Sequence, residues 1–599
     1  MPVRLLIALV LVACSRKPPP PPPPVTADGG QPLPPVVIAD APPAAEYRTQ
    51  QTGSHVDASV TGKGKTFMVA SEAAPATQVG KDVLAAGGNA VDAAVAVAFA
   101  LAVVHPTAGN LGGGGFAVVR TGAGKAVALD FRETAPAAAT ETMFLDKVTG
   151  KPTEASLVGH LAAGVPGSVA GLWALHQKYG KKPWKDVVAP AVKLARAGFE
   201  IDPYLAKAIA YKADLLAKSP GSLAIWMPNR VSHEVGARVK IPELAATLDR
   251  IATKGAEGFY KGPTADAIVA EMKSGGGIMT AKDLADYKPV WRDPLRFAYR
   301  GHSIVSMPPP SSGGIVLAMT AGMLRDTDVS KLAWHGTDHV HWLAEVWKRA
   351  FAARNELLGD PAFVKSMPVD KLISQPYLAS LVKTIGTRAT PSKDVASLLE
   401  GDHTTHLSVV DSKGMAVAMT TTLNTTFGSG VTVAGAGFLL NNEMDDFTAK
   451  PGSPNTFGLV QGVANKIEPG KRMLSSMSPT IVEDAKGDLR MVAGAGGGPR
   501  IITAVWQTIS NVIDYNQSLA EAVHNPRVHH QHLPDKVRIE AEAIDEATAK
   551  GLADRGHDVD WAFNAREFGA ITAISRVKDG WEGTSDRRGG GAAMGDQVR

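Results

Sequence analysis

Cysteine is almost absent from this chain of 599 residues; the single one is Cys14. Intrachain disulfides are therefore excluded, even in an oxidising compartment. Aromatic residues make up only 6% while glycines number 61, so tight backbone turns rather than stacking platforms shape the fold. Blocks of like charge are missing too, and a net charge of +4 spread along the chain argues against a nucleic-acid partner. Beyond residue 12 no apolar run is long enough to cross a bilayer. The richest, "AVDAAVAVAFALAVV", is interrupted by Asp92 and reads as a buried helix. With 45% hydrophobic and 20% charged residues, what remains has the composition of a globular protein.

The cysteine is informative by its place. "MPVRLLIALVLVACSRK" carries Arg4, an apolar stretch to Val12, and Ala13 before Cys14, which is the layout of a secretory signal. Leu11-Val12-Ala13-Cys14 also resembles a bacterial lipobox, whose cysteine is acylated and becomes the new N-terminus. That predicts a signal peptide over 1–13 and a lipid anchor that holds the protein at a membrane facing the periplasm. Ser15 favours the outer membrane. The proline-rich residues that follow adopt extended polyproline II at about 3.1 Å per residue, so 14–62 reads as an anchored stalk.

Globular sequence begins near Lys63. Two helical patterns broken at Gly87-Gly88 run into a glycine turn and short strands, and residues 170 to 400 read as mostly helical. From Thr404 the texture changes to strands at "THLSVVD", "MAVAMTTTLN", "GFLLNNEM", "PTIVED" and "LRMVAGA", with helices at "IITAVWQTISNVI" and "AIDEATAKGLADRG". The expected class is α+β without internal repeats.

Two strands around Ser412-Lys413-Gly414 form a hairpin on a three-residue loop. Placing Asp411 opposite Met415 puts Thr404 opposite Thr422, where directly paired Cβ atoms lie about 4.5 to 5.5 Å apart. Threonines also simply favour strands. A chain cut before Thr404 would give that residue an α-amino group of pKa about 7.7 to 8.0 beside its own hydroxyl, a base that needs no histidine.

Together "TTHLSVVD", "TLNTTFGSG", "LLNNEMDDF", "KRMLSSMSPTIV" and "GAGGGPRIIT" resemble the small subunit of the gamma-glutamyltransferases. "GNAVDAAVA", "HPTAGNLGGGGF", "LDFRETAP", "GVPGSVAG" and "SMPPPSSGG" resemble the large subunit in the same order. The resemblance implies an N-terminal nucleophile hydrolase with stacked α, β, β and α layers. It also implies autoproteolysis at His403-Thr404, which gives a large subunit (63–403) and a small one (404–599) that stay paired. Thr404 would attack the γ-carbonyl of glutathione or a related γ-glutamyl compound, and water or an amino acid or peptide acceptor would resolve the ester.

By the same resemblance Gly497 and Gly498 form the oxyanion hole, where a missing Cβ lets backbone N–H groups come close. Arg132 takes the α-carboxylate with Ser475 and Ser476. Asp446 holds the α-ammonium with Asn424 and Glu443 around it. No cofactor and no metal are implied, and His529, His530 and His532 read as structural or surface histidines. Phe457 stands in a lid loop where the family usually has tyrosine, which predicts a looser lid. A cephalosporin or glutaryl acylase shares the nucleophile, but Asp446 would then face no ammonium. A catalytically silent lipoprotein would have no reason to keep the whole set.

Overall fold

The computed structural model describes residues 55–394, 404–451, 461–562 and 568–597. The signal peptide, Cys14, the stalk up to residue 54, His403 and Phe457 lie outside the described residues. No helix among the described residues is long and apolar enough to cross a membrane.

Among the described residues nine strands precede Thr404: β1 (Thr61–Gly64), β2 (Met68–Ser71), β3 (Gly114–Arg120), β4 (Ala126–Asp130), β5 (Phe199–Glu200), β6 (Arg238–Val239), β7 (Val290–Arg292), β8 (Leu295–Tyr299) and β9 (His302–Ser306). Ten follow it: β10 (Thr405–Val410), β11 (Ala416–Thr422), β12 (Thr480–Glu483), β13 (Leu489–Gly496), β14 (Val528–His529), β15 (Val537–Glu540), β16 (Val559–Ala562), β17 (Ala570–Val577), β18 (Gly580–Ser585) and β19 (Ala592–Gly595). One seven-stranded sheet runs β19-β2-β10-β11-β3-β4-β7 and the other β1-β18-β17-β13-β12-β9-β8. Each sheet interleaves strands from before and after Thr404. Small sheets are formed by β14-β15-β16 and by β5-β6.

Strand alternation sorts the side chains into the expected four layers. Leu407 and Val409 of β10, with Val417 and Met419 of β11, pack under helices such as Ala90–Val104. Val410, Ala416 and Ala418 point the other way and meet Val492 and Ile574 of the second sheet. Met491, Ala493 and Ala495 of β13 then face the outer helices, among them Arg500–Ile513. Each buried Val or Leu on these faces is worth roughly 1.5–3 kcal/mol. Asp92, the one charge in the apolar helix, closes a capping box with Asn89 and accepts N–H bonds from Lys181 and Lys182.

The structure differs from the sequence expectations in three places. "GFLLNNEM" makes only isolated bridges and a 3-10 turn at Glu443–Asp446, because Asn441 diverts the neighbouring backbone groups to its own side chain. The helical middle also contributes β7, β8 and β9 to the two large sheets. Strand pairing is present slightly ahead of Lys63, with β1 paired to β18 from Thr61.

Candidate active site

The hairpin has the register read from the sequence: Val410 faces Ala416 and Thr405 faces Thr421, so Thr404 stands opposite Thr422. Gly414 supplies the left-handed turn residue (φ 75°), and the Asp411 carboxylate accepts the Lys413 and Met415 N–H groups. Thr404 and Thr422 lie on the face of their sheet that looks toward the second sheet, at its open end. The Thr404 hydroxyl donates to Thr422 Oγ1 over 3.4 Å, and Thr422 Oγ1 also accepts the Asn424 N–H at 2.8 Å. Asn424 itself takes a left-handed φ of 76° and donates to the Asn442 carbonyl. Two residues past Thr404, His406 is wedged between the sheets with Nδ1 2.7 Å from Thr420 Oγ1. The His406 N–H donates to Glu72, whose carboxyl is pushed up to about 8 by burial.

Nine of the ten predicted catalytic and binding residues line one cavity, and Gly497 is the chain neighbour of Gly498 in its wall. Arg132 follows β4 and is fully buried; its guanidinium pairs with both Glu443 and Asp446 and donates to the Met473 carbonyl at 3.2 Å. Burial works against this cation, but Glu443, Asp446 and Glu133 outweigh it and hold its pKa above the ordinary arginine range. Burial raises the Glu443 and Asp446 carboxyls, with Arg132 opposing. Glu443 is set by Asn441, whose Oδ1 accepts its N–H at 2.9 Å, and the Asp446 carbonyl accepts from Gln461 and Asn465. Arg132 and Arg354 stand against Glu443 and Asp446 in the cavity wall, so the formal charges of its lining balance.

Ser475 and Ser476 form the opposite wall. The Ser475 carbonyl accepts both the N–H and the hydroxyl of Ser312, at 2.7 and 2.6 Å, which fixes this segment beside the helix Gly313–Met323. Gly497 (φ 128°) and Gly498 (φ 52°) end β13 in conformations that favour glycine. They lead straight into the helix Arg500–Ile513, at the terminus where N–H groups lack intrahelical acceptors and an anion is favoured.

Sequence reasoning missed Arg354, Met477, Pro499 and Ile501, which complete the lining. Arg354 carried a signal: in the helix Thr337–Leu357 it falls on the buried stripe of Trp347, Ala350 and Phe351, where a charge is out of place. It missed Asn110 as well, whose side chain donates to Thr421 Oγ1 and the Thr422 carbonyl and so holds the end of β11. His529, His530 and His532 are buried, which fits the structural and not the surface alternative. His529 bonds Thr503 and Gln531, and His530 Nδ1 accepts the His532 N–H.

The family described as gamma-glutamyltranspeptidase matches residues 76–596. The chain is 48% identical over 503 residues to the glutathione hydrolase proenzyme of Escherichia coli K12, covering 83% of this chain and 86% of that one. It is 45% identical over 524 residues to the glutathione hydrolase proenzyme of Pseudomonas aeruginosa PAO1, covering 86% and 92%. Among solved structures, the cephalosporin acylase from Bacillus halodurans superposes with a TM-score of 0.79 at 26% identity, covering 93% of this chain and 99% of that one. A family match along most of its length and relatives at 45–48% identity place this chain in the gamma-glutamyltranspeptidase family.

Proposed function

We propose that this chain is a periplasmic, lipid-anchored glutathione hydrolase and γ-glutamyltransferase that activates itself by cutting His403-Thr404. The observation that carries this reading is the Thr404 hydroxyl, 3.4 Å from Thr422 Oγ1, in one cavity with Arg132, Glu443 and Asp446. In the precursor that hydroxyl attacks the preceding carbonyl, and the resulting ester hydrolyses to leave Thr404 with a free amine. The amine then takes the proton of its own hydroxyl as Oγ1 attacks the γ-carbonyl of the donor. N–H groups of Gly497 and Gly498 hold the oxyanion, and the ammonium returns the proton to the leaving amine. Water, or the amine of an amino acid or peptide, attacks the ester and restores Thr404.

The donor's α-ammonium goes to Asp446 and Glu443 and its α-carboxylate to Arg132 and the two serines. An acylase substrate without the α-amino group would leave those carboxylates unmatched, which counts against the acylase reading. Because both large sheets interleave strands from the two sides of Thr404, the cut leaves a large and a small subunit locked in one core. The test is intact mass and denaturing electrophoresis of the chain beside Thr404→Ala, followed by assay with glutathione. Two fragments, the smaller starting at Thr404, with an uncut variant and glutathione turnover only by the wild type, support the proposal. A wild-type chain that stays whole refutes it.

A further inference from the structure

Arg354 is a cation buried in the cavity wall, 1% exposed, and no carboxylate among the described residues lies within ion-pairing distance of it. Asp446 acts on it only through space, and burial pushes its pKa down to about 10, which leaves it a cation at neutral pH. Its three hydrogen bonds among the described residues go to neutral oxygens: Nε to Ser312 Oγ at 3.1 Å, Nη1 to Asn355 Oδ1 at 2.9 Å and Nη2 to Ser476 Oγ at 3.3 Å. Two of those contacts decide where hydroxyl protons point. Ser312 Oγ accepts from Arg354 and passes its own proton to the Ser475 carbonyl. Ser476 Oγ accepts from Arg354 as well, and its proton has no acceptor among the described residues while its side chain lines the cavity. A buried hydroxyl with an unspent proton and a guanidinium behind it is a site prepared for an anion.

We propose that Arg354 is a positioning residue for the donor's α-carboxylate: it turns the Ser476 hydroxyl outward as a donor and adds a positive charge not cancelled by a local carboxylate. Arg132 arrives already paired to Glu443 and Asp446, so its charge alone is shared with the groups that must take the α-ammonium. Arg354 breaks that tie in favour of the carboxylate end. It thereby fixes which way round the amino-acid head enters, and with it the reach of the γ-carbonyl to Thr404.

This rests on the γ-glutamyl reading, and the experiment separates the two. Self-cleaved wild type, Arg354→Met, Arg354→Lys, Ser476→Ala and the Arg354→Met/Ser476→Ala double variant are assayed with γ-glutamyl-4-nitroanilide and with its α-carboxamide analogue. Arg354→Met is expected to raise KM for the acid about 10- to 100-fold with kcat within about 3-fold, in line with loss of a hydrogen bond to a charged group. For the α-carboxamide the change is expected to stay within about 3-fold. Arg354→Lys, which keeps the charge and loses the fork, recovers part of the KM. In the Ser476→Ala background the Arg354→Met effect shrinks to a few-fold. Equal losses on both donors, an unchanged KM, or a full effect without Ser476 overturns the assignment of Arg354. If Arg354→Met does not mature, Arg354→Lys must still show the acid-specific KM rise, and its absence overturns the assignment too. A mature wild type that turns over neither donor overturns the γ-glutamyl reading itself.

Discussion

Replacing Asp446 by asparagine preserves shape and removes one of the three carboxylates, with Glu443 and Glu133, that lie within ion-pairing distance of Arg132. In the proposed complex it also removes one of the two partners of the donor's α-ammonium. Two unit charges about 3 Å apart at an effective dielectric near 20 attract by roughly 5 kcal/mol before desolvation is charged against them. Truncating one member of a buried, hydrogen-bonded charge pair costs about 2–5 kcal/mol. Because Glu443 stays in place, the lower part of that range applies, about 2–4 kcal/mol, or roughly 30- to 1000-fold in kcat/KM. A glutaryl donor, identical except for the missing α-amino group, has nothing to lose at this position. It gains, since Asp446→Asn takes away a carboxylate that competes with it for Arg132. The assay is kcat/KM of the mature enzyme for γ-glutamyl- and glutaryl-4-nitroanilide, with complete self-cleavage of the variant confirmed first. A collapse of the preference between the two donors is expected. Equal loss on both would mean that Asp446 supports the cavity without reading the ammonium, and the orientation proposed for the donor would be wrong.

Thr422→Val keeps the strand and deletes the acceptor of the Thr404 hydroxyl, so kcat of the mature enzyme should fall about 10- to 100-fold at little change in melting temperature; full kcat would remove Thr422 from the site. Gly494→Ala would place a Cβ 2.3 Å from Nδ1 and Cε1 of the wedged His406 ring, and denaturant unfolding should show a loss of about 1–3 kcal/mol from overpacking between the sheets; wild-type stability would show that the sheets can part there without cost. Burial lowers His335 and His530 to about 4, and His339, His406 and His557 to about 3, with smaller effects of neighbouring charges. The unfolded chain therefore takes up protons below pH 6.5 before the folded one does. The stability these groups contribute is complete above 6.5 and lost as pH falls toward 4 and 3, at ~1.4 kcal/mol per pH unit and group. Thermal melts should drop steeply between pH 6 and 4, and a flat profile there would contradict the buried neutral state.

What was legible in the sequence was local. The hairpin register came from a strand period of two and a three-residue loop, and it placed Thr404 against Thr422 correctly. The buried helix Ala90–Val104 came from its uniform apolar character, although the work done by Asp92 needed Asn89 and the Lys181 backbone in view. Arg132, Glu443 and Ser476 are brought together by sheet order and by side chains such as Asn441, which no periodicity reports; only resemblance pointed to them. Arg354 escaped even that, since its meaning depends on a serine more than a hundred positions away. "GFLLNNEM" looked like a strand because its apolar residues are right for one, while Asn441 Oδ1 accepts the Glu443 N–H and the Asn424 side chain donates to the Asn442 carbonyl.

The hairpin register also explains why the placement of Thr404 tolerates no ambiguity. Side chains alternate along β10, so Thr404, His406 and Ser408 look between the sheets, and Thr405, Leu407 and Val409 look at the helices. A slip of one residue would turn the Thr404 hydroxyl into the helix layer and present Thr405 to the cavity instead. Adjacent threonines make that error chemically silent until catalysis, so the register has to be held by something other than residue type. It is held twice. At the turn, Asp411 gathers the loop N–H groups. At the open end, the His406 ring fills the space left by Gly494 on the second sheet and bonds Thr420, a fit that no neighbouring residue of β10 could reproduce from the helix side. The proposed cut before Thr404 would leave both restraints intact, so the new amine would appear beside a hydroxyl whose position was settled before the bond was broken.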